Sequence, residues 1–121
     1  MIQARSLASN LTSYSTDEQD TGCKWVDDKK IYKKTIAFSA LSNGASVSTR
    51  HNISNLSKIV EITGVTYQAN ATRWRDLNMP AGNDSSQWTI IEVDTTNVYV
   101  YSGNDQRNQS ADITLYYTKT N

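Results

Sequence analysis

Apolar residues recur at every second position in short segments along most of this chain. In IYKKTIAFSAL (31–41), Tyr32, Lys34, Ile36 and Phe38 fall on one side, which we expect to face the core. Further segments of this kind are VSTRHNI (47–53), KIVEITGVTY (58–67), QWTIIEVD (87–94), NVYVYSG (97–103) and ADITLYYTK (111–119). Successive side chains of a strand point to opposite faces, so this period predicts half-buried β-strands, and no segment shows a helical period.

Polar turn sequences separate these segments at intervals of about ten residues. Examples are SNGAS (42–46) and PAGNDSS (80–86), and Asp94 and Asn97 flank a two-residue connection that predicts a hairpin. Short strands in succession are typical of antiparallel sheets. We therefore predict an all-β fold, an antiparallel β-sandwich or jelly-roll-like domain of about seven strands.

The first 21 residues lack this alternation. Their apolar residues Ile2, Leu7 and Leu11 are loosely spaced, and the stretch from Ser13 to Gly22 is polar and acidic. Such a segment buries too little apolar surface to be ordered alone. We predict an extended N-terminal arm over residues 1–21, used for attachment or assembly, followed by a β-sandwich domain over 22–121.

The composition narrows the classes of function. Twelve basic and twelve acidic residues cancel, so there is no overall attraction to nucleic acid or to anionic lipid. With Cys23 and His51 as the single cysteine and histidine, neither a disulfide nor a usual zinc site is expected. No apolar run reaches the ~18 residues of a membrane span, and the start lacks a signal peptide's apolar core. We expect no metal, no cofactor, no nucleic-acid partner, no membrane insertion, and synthesis in a cytoplasm.

The sequence contains no recognisable catalytic constellation. His51 is the only ordinary candidate base, and no nucleophile-elbow motif is present. Most carboxylates fall in turns, where Asp is favoured for backbone reasons, and no pair suited to glycoside hydrolysis is evident. We predict a protein that is not an enzyme, with glycan cleavage as the third alternative.

Seven tyrosines and three tryptophans, against one phenylalanine, favour a contact surface. Alternation places Tyr99 and Tyr101 on the face of a strand opposite Val98 and Val100. The triplet at 73–75 combines two cations with a ring that stacks on a base or a sugar, although a tryptophan in the core with both arginines on the other face is the commoner arrangement. The predicted ligand-binding residues are Arg73, Trp74, Arg75, Tyr99 and Tyr101.

The segment YSTDEQDTGCKWVDDKKIYKKTI (14–36) resembles a module of structural proteins of tailed bacteriophages, with the pattern YSTEE, G-x-x-W-x-D-G-K and Y-x-K-T-I. The matching residues are Tyr14, Ser15, Thr16, Glu18, Gly22, Trp25, Asp27, Lys29, Tyr32, Lys34, Thr35 and Ile36. The segments 51–64, 89–103 and 111–119 are similar to later parts of the module, so the resemblance covers residues 13–119. Asp28 replaces the usual turn glycine of the family, and Cys23 is not a family residue.

The resemblance implies a terminal β-sandwich on fibres, spikes or other virion appendages, usually trimeric and without known catalysis. We expect a homotrimer in the virion, made in the host bacterial cytoplasm, that contacts other virion proteins and a host-surface glycan or protein. A tail- or head-fibre appendage used in host attachment is the leading hypothesis, and a capsid decoration protein that stabilises the head is the alternative. The expected assembly residues are Tyr14, Trp25 and His51, together with the arm.

Overall fold

The structure is a computed structural model that describes residues 14–68, 72–76, 89–103 and 105–120. The described residues contain no helix and form eight strands. These strands are β1 (Gln19–Lys24), β2 (Lys30–Phe38), β3 (Ser46–Arg50), β4 (Leu56–Gln68), β5 (Arg73–Asp76), β6 (Thr89–Val93), β7 (Asn97–Ser102) and β8 (Gln109–Lys119). Of the predicted arm, residues 1–13 lie outside the described residues.

The strands form two antiparallel sheets, which confirms the predicted all-β sandwich with one strand more than expected. The five-stranded sheet has the order β1-β2-β8-β4-β5, and the three-stranded sheet has the order β3-β7-β6. The alternation predicted six of these strands to within a few residues at each end: β2, β3, β4, β6, β7 and β8. Strand β1 starts at Gln19, before the predicted start of the domain at residue 22, because its exposed polar residues hide the period.

The chain divides into two compact units. The first is made by the described residues of Met1–Thr35, Ile53–Ile62 and Thr114–Asn121, and the second by those of Ile36–Asn52 and Thr63–Ile113. The predicted boundary between an arm and a domain at residues 21 and 22 stays a prediction.

The three-stranded sheet belongs to the second unit and has one apolar face. Val98 and Val100 of its central strand β7 are fully buried, and Ile91 of β6 pairs with Val100 and is buried as well. Tyr99 and Tyr101 lie on the opposite face of the same strand, as the alternation predicted. The sheet therefore contributes valine and isoleucine to the core and leaves tyrosine on its outward face.

Strand β8, at the centre of the five-stranded sheet, is buried on both faces in the first unit. Leu115 and Tyr117 on one face are fully buried, and Thr114 and Thr118 on the other face are buried too. The hydroxyl oxygens of Thr35 and Thr114 lie 2.9 Å apart and form a hydrogen bond. Burial on both faces explains why β8 carries threonine where an exposed strand face would tolerate charge.

Lys33 of β2 is only 1% exposed, although the alternation placed it on the outward face of the strand. Its ammonium nitrogen lies 4.3 Å from the centre of the Tyr14 ring, a cation–π contact that helps a charge tolerate burial. The backbone nitrogen of Thr35 donates a hydrogen bond to the Ser15 carbonyl oxygen at 2.9 Å. The segment before β1 thus lies beside β2 and helps to cover this face.

The turn between β1 and β2 has a left-handed residue, Asp28, with φ +70°. The backbone nitrogen of Trp25 donates to the Lys29 carbonyl, and that of Asp28 donates to the Trp25 carbonyl, each at 2.9 Å. Glycine is favoured in this conformation, and aspartate is among the residues that tolerate it.

Candidate functional site

The outward face of the three-stranded sheet carries a surface that we call the tyrosine face. It comprises Ser46, Ser48, Ile90, Glu92, Tyr99 and Tyr101. In one row across the sheet Tyr101 stands between Ser46 and Ile90, and in the next row Tyr99 stands between Ser48 and Glu92. Because directly paired residues of neighbouring strands share a face, these side chains form one continuous surface.

The aromatic rings of the tyrosine face are open to solvent. Tyr101 and Ile90 are 40% and 41% exposed, and Tyr99 is half-buried. The two tyrosine rings are nearly parallel, with centroids 6.4 Å apart and an interplanar angle of 26°. Ser46 and Ser48 are exposed and small, so they leave the β3 side of the rings uncovered. Such a surface is suited to stacking and hydrogen bonding with a sugar or another protein.

The turn between β6 and β7 holds one of these rings in place. Asp94 Oδ1 accepts hydrogen bonds from the backbone nitrogens of Asn97 at 2.6 Å and Thr96 at 2.8 Å, and its Oδ2 accepts one from the Tyr99 hydroxyl at 2.8 Å. The bonds from Asn97, Thr96 and Tyr99, in that order, lower the pKa of the Asp94 carboxyl. The bond to Asp94 raises the pKa of the Tyr99 hydroxyl. The predicted hairpin is confirmed, and it fixes the Tyr99 ring.

A second aromatic surface lies where β4 pairs with β5. Trp74 stands directly opposite Tyr67, and their ring centroids are 4.9 Å apart. Trp74 is 66% exposed, and Val65, on the same face of the pair, is exposed as well. Trp74 is therefore a surface residue of the described chain and not a core residue.

The two arginines of the predicted site lie on the other face of β5. Arg73 pairs with Gln68, and Arg75 pairs with Thr66, which is fully buried. Alternate residues of a strand face opposite sides, so Trp74 does not share a surface with its neighbours in sequence. The structure separates the predicted triplet into a ring on one side and two cations on the other.

The predicted ligand-binding residues thus form two surfaces. The Tyr67–Trp74 pair belongs to the five-stranded sheet and the tyrosine face to the three-stranded sheet. Among the residues that the structure describes, no ring contact joins the two pairs. Whether either surface binds a ligand stays a prediction.

The three predicted assembly residues occupy different environments. The Tyr14 ring is exposed, and Trp25 is half-buried, with the Lys58 ammonium nitrogen 5.2 Å from the centre of its ring. His51 is buried at the end of β3, where its Nε2 lies 2.9 Å from the carbonyl oxygen of Asp94. The role of all three residues in assembly stays a prediction.

A polar network that the sequence pattern did not predict joins the start of the described chain to β8. The hydroxyl of buried Tyr117 donates to Glu18 Oε1 at 2.6 Å, and Lys119 Nζ donates to Glu18 Oε2 at 3.0 Å. Burial raises the pKa of the Glu18 carboxyl, but these two partners outweigh it and the net pKa is lowered. Burial, and then the bond to Glu18, raise the pKa of Tyr117. No local signal in the sequence could have found this network, because its hydrogen bonds join residues 99 and 101 positions apart.

Across residues 14–68, 72–76, 89–103 and 105–120, no group of three or more His, Cys, Asp or Glu residues is placed to hold a metal ion. The same part of the chain contains no helix of the length and apolarity that a membrane span requires. No protein-family model, curated protein or solved structure matches the chain at a significant level.

Proposed function

We propose that this chain is a non-enzymatic structural protein of a tailed-bacteriophage particle, an exposed trimeric appendage of the tail- or head-fibre type that attaches to the host surface. The observation that carries the proposal is the tyrosine face. It combines two stacked tyrosine rings and an exposed isoleucine with neighbouring serine hydroxyls. Solvent-accessible tyrosine rings beside an exposed isoleucine favour interaction with a partner.

The composition of the tyrosine face is suited to recognition. Tyrosine supplies a large, rigid contact area that loses little conformational entropy on binding, and serine supplies adaptable hydrogen bonding. Tyr99 is already held by Asp94, so less freedom remains to be lost when a ligand binds. We assign to this face the contact with a host-surface glycan or protein.

The phage resemblance supports a particle protein because its separated motifs meet in the fold. Glu18, from YSTDE near the start, hydrogen-bonds to Tyr117 and Lys119, from LYYTK near the end. Asp28 has the backbone conformation that a turn glycine would favour. A capsid decoration protein is the alternative, and it would place the tyrosine face against neighbouring capsid subunits instead of a host surface.

Host attachment is testable with the full chain carrying a fluorophore on Cys23, its one cysteine, which is exposed. Labelled protein is added to a panel of intact bacterial species, and cell-bound fluorescence is measured by flow cytometry. We expect binding to a subset of species, and a loss of about tenfold in apparent affinity in the Tyr99→Ser/Tyr101→Ser variant. Val26→Ser, which alters an 89% exposed apolar residue in the β1–β2 turn, is the control and should bind as the unmodified chain does.

Three further measurements delimit the proposal. Trp74→Ala should also weaken attachment without dissociating the trimer, and unchanged attachment would remove Trp74 from the binding surface.

Light scattering after size exclusion should give about three times the 13.5 kDa chain mass, and a monomer would contradict the trimer. Failure to bind any species, with electron microscopy showing the tyrosine face against the capsid, would replace attachment by decoration.

A further inference from the structure

We propose that a groove in the first unit binds a negatively charged saccharide. The anionic group of this saccharide is a phosphate ester or a carboxylate. The groove, which we call the lysine groove, has a volume of about 320 Å³. Its lining residues are Lys29, Lys30, Tyr32, Lys119 and Thr120. Ligand binding by this groove does not depend on the tyrosine face or on a role in a virion.

The charge around the lysine groove favours an anion. Three lysines line it, and two carboxylates pair with their ammonium groups: Asp20 lies 3.6 Å from Lys30 Nζ, and Glu18 lies 3.0 Å from Lys119 Nζ. Lys29 instead donates a hydrogen bond to the neutral Ser57 hydroxyl at 3.4 Å. Among the residues that the structure describes, no carboxylate forms an ion pair with the Lys29 ammonium group. Lysine binds phosphate as a compact point charge.

The position of Lys119 is set before any ligand arrives. Its ammonium nitrogen is hydrogen-bonded to Glu18 and lies 5.4 Å from the centre of the Tyr32 ring. The Tyr32 ring in turn stacks on buried Tyr117, with centroids 6.1 Å apart. An ammonium group held by two neighbours loses little side-chain entropy when it donates to a ligand oxygen.

The walls of the lysine groove favour a saccharide over a bare anion. Tyr32 contributes an aromatic wall, and the lysine side chains contribute aliphatic stems below their charged ends. Thr120 adds a hydroxyl that donates and accepts hydrogen bonds. An inorganic ion would use the ammonium groups only, whereas a sugar acid or sugar phosphate would also cover the ring and reach the hydroxyl.

The test is a titration of the ¹⁵N-labelled full chain, followed by amide chemical shifts, with four probes: glucose 6-phosphate, glucuronate, inorganic phosphate and glucose. We expect the two charged sugars to shift amides of residues that line the lysine groove and to bind more tightly than phosphate or glucose. Added sodium chloride should weaken this binding because it screens the charges.

Two double variants with the same change in net charge test the location. Lys29→Gln/Lys30→Gln should weaken binding of glucose 6-phosphate about tenfold. Lys24→Gln/Lys58→Gln removes two ammonium groups that contact Asp28 and the Trp25 ring, outside the groove lining, and should leave the affinity unchanged. Thermal melts followed by circular dichroism check that both variants fold.

Three outcomes would overturn the proposal: equal loss of binding in both double variants, glucose binding as tightly as glucose 6-phosphate, or inorganic phosphate doing so. The last outcome would leave an anion groove with no preference for a saccharide. The Tyr99→Ser/Tyr101→Ser variant should retain the full affinity for glucose 6-phosphate. A failure of the lysine groove is therefore distinguishable from a failure of the proposed attachment surface.

Discussion

Strands β7 and β8 are the central strands of their sheets. Strand β7 is buried on one face only, whereas β8 is buried on both faces. In β7, Val98 and Val100 are buried while Tyr101 on the opposite face is exposed. In β8, Leu115 and Thr114 lie on opposite faces and both are buried. A strand covered on one face leaves side chains for a ligand, whereas a strand covered on two faces must find partners for its polar groups within the fold.

The two strands meet this requirement to different degrees. On the outward face of β7, the Tyr99 hydroxyl bonds to Asp94 and remains near solvent. On β8, Thr114 bonds to Thr35 and Tyr117 bonds to Glu18, but Thr118 Oγ1 is buried and has no hydrogen-bond partner in the described part of the chain. We infer that β8 carries much of the stability of the first unit and that β7 combines core packing with an exposed aromatic face.

The largest effect is expected from Leu115→Ala. This substitution removes a fully buried side chain from β8 and should lower the free energy of unfolding by about 3 kcal/mol, from lost burial and the cavity that remains. The comparison is Tyr101→Ala on the exposed face of β7, which should cost less than about 1 kcal/mol. Urea unfolding measures both, and similar losses would refute the contrast between the two strands.

A smaller, pH-dependent effect is expected from Glu18→Gln. The lowered pKa of Glu18 means that its contribution to stability is fully present above the ordinary value of 4.5 and is lost as the pH falls through the lowered value. At neutral pH the variant should lose about 1 kcal/mol, a figure reduced for partial exposure. The gap between variant and unmodified chain should then narrow in acid.

Urea unfolding at a series of pH values measures the Glu18→Gln effect. Asp17→Asn is the matched control, because Asp17 is the neighbouring carboxylate and takes no part in the bonds to Tyr117 and Lys119. A gap for Glu18→Gln that stays constant from neutral to acid pH would show that the ionised carboxylate is not what stabilises this network.

An effect of opposite sign is expected at Thr118. Thr118→Val replaces a buried hydroxyl that lacks a hydrogen bond by a methyl group of similar shape, and it should raise the free energy of unfolding by up to about 1 kcal/mol. Thr114→Val, on the same face of β8, removes the bond to Thr35 and should lower it by about 1 kcal/mol. If both variants shift urea unfolding in one direction, hydrogen bonding does not govern this face.

Much of the fold follows from local pattern. The alternation in NVYVYSG was sufficient to place the two valines and the two tyrosines on opposite faces of one strand, because side-chain direction in a strand depends only on position. The structure shows that the face with Val98 and Val100 is the buried one. The turn at Asp94 and Asn97 follows from local chemistry too, since the hydrogen bonds to the Asp94 carboxylate join residues at most five apart.

The sequence by itself therefore determined most of the strands and the separation of valine from tyrosine across β7. Only the tertiary structure decided that Tyr14 covers Lys33, that Glu18 meets Tyr117, and that a lysine groove forms from residues 29–32 and 119–120. The physical reason is the separation along the chain over which each effect acts. Alternation is set by the backbone of one strand, whereas these contacts depend on which distant strands become neighbours.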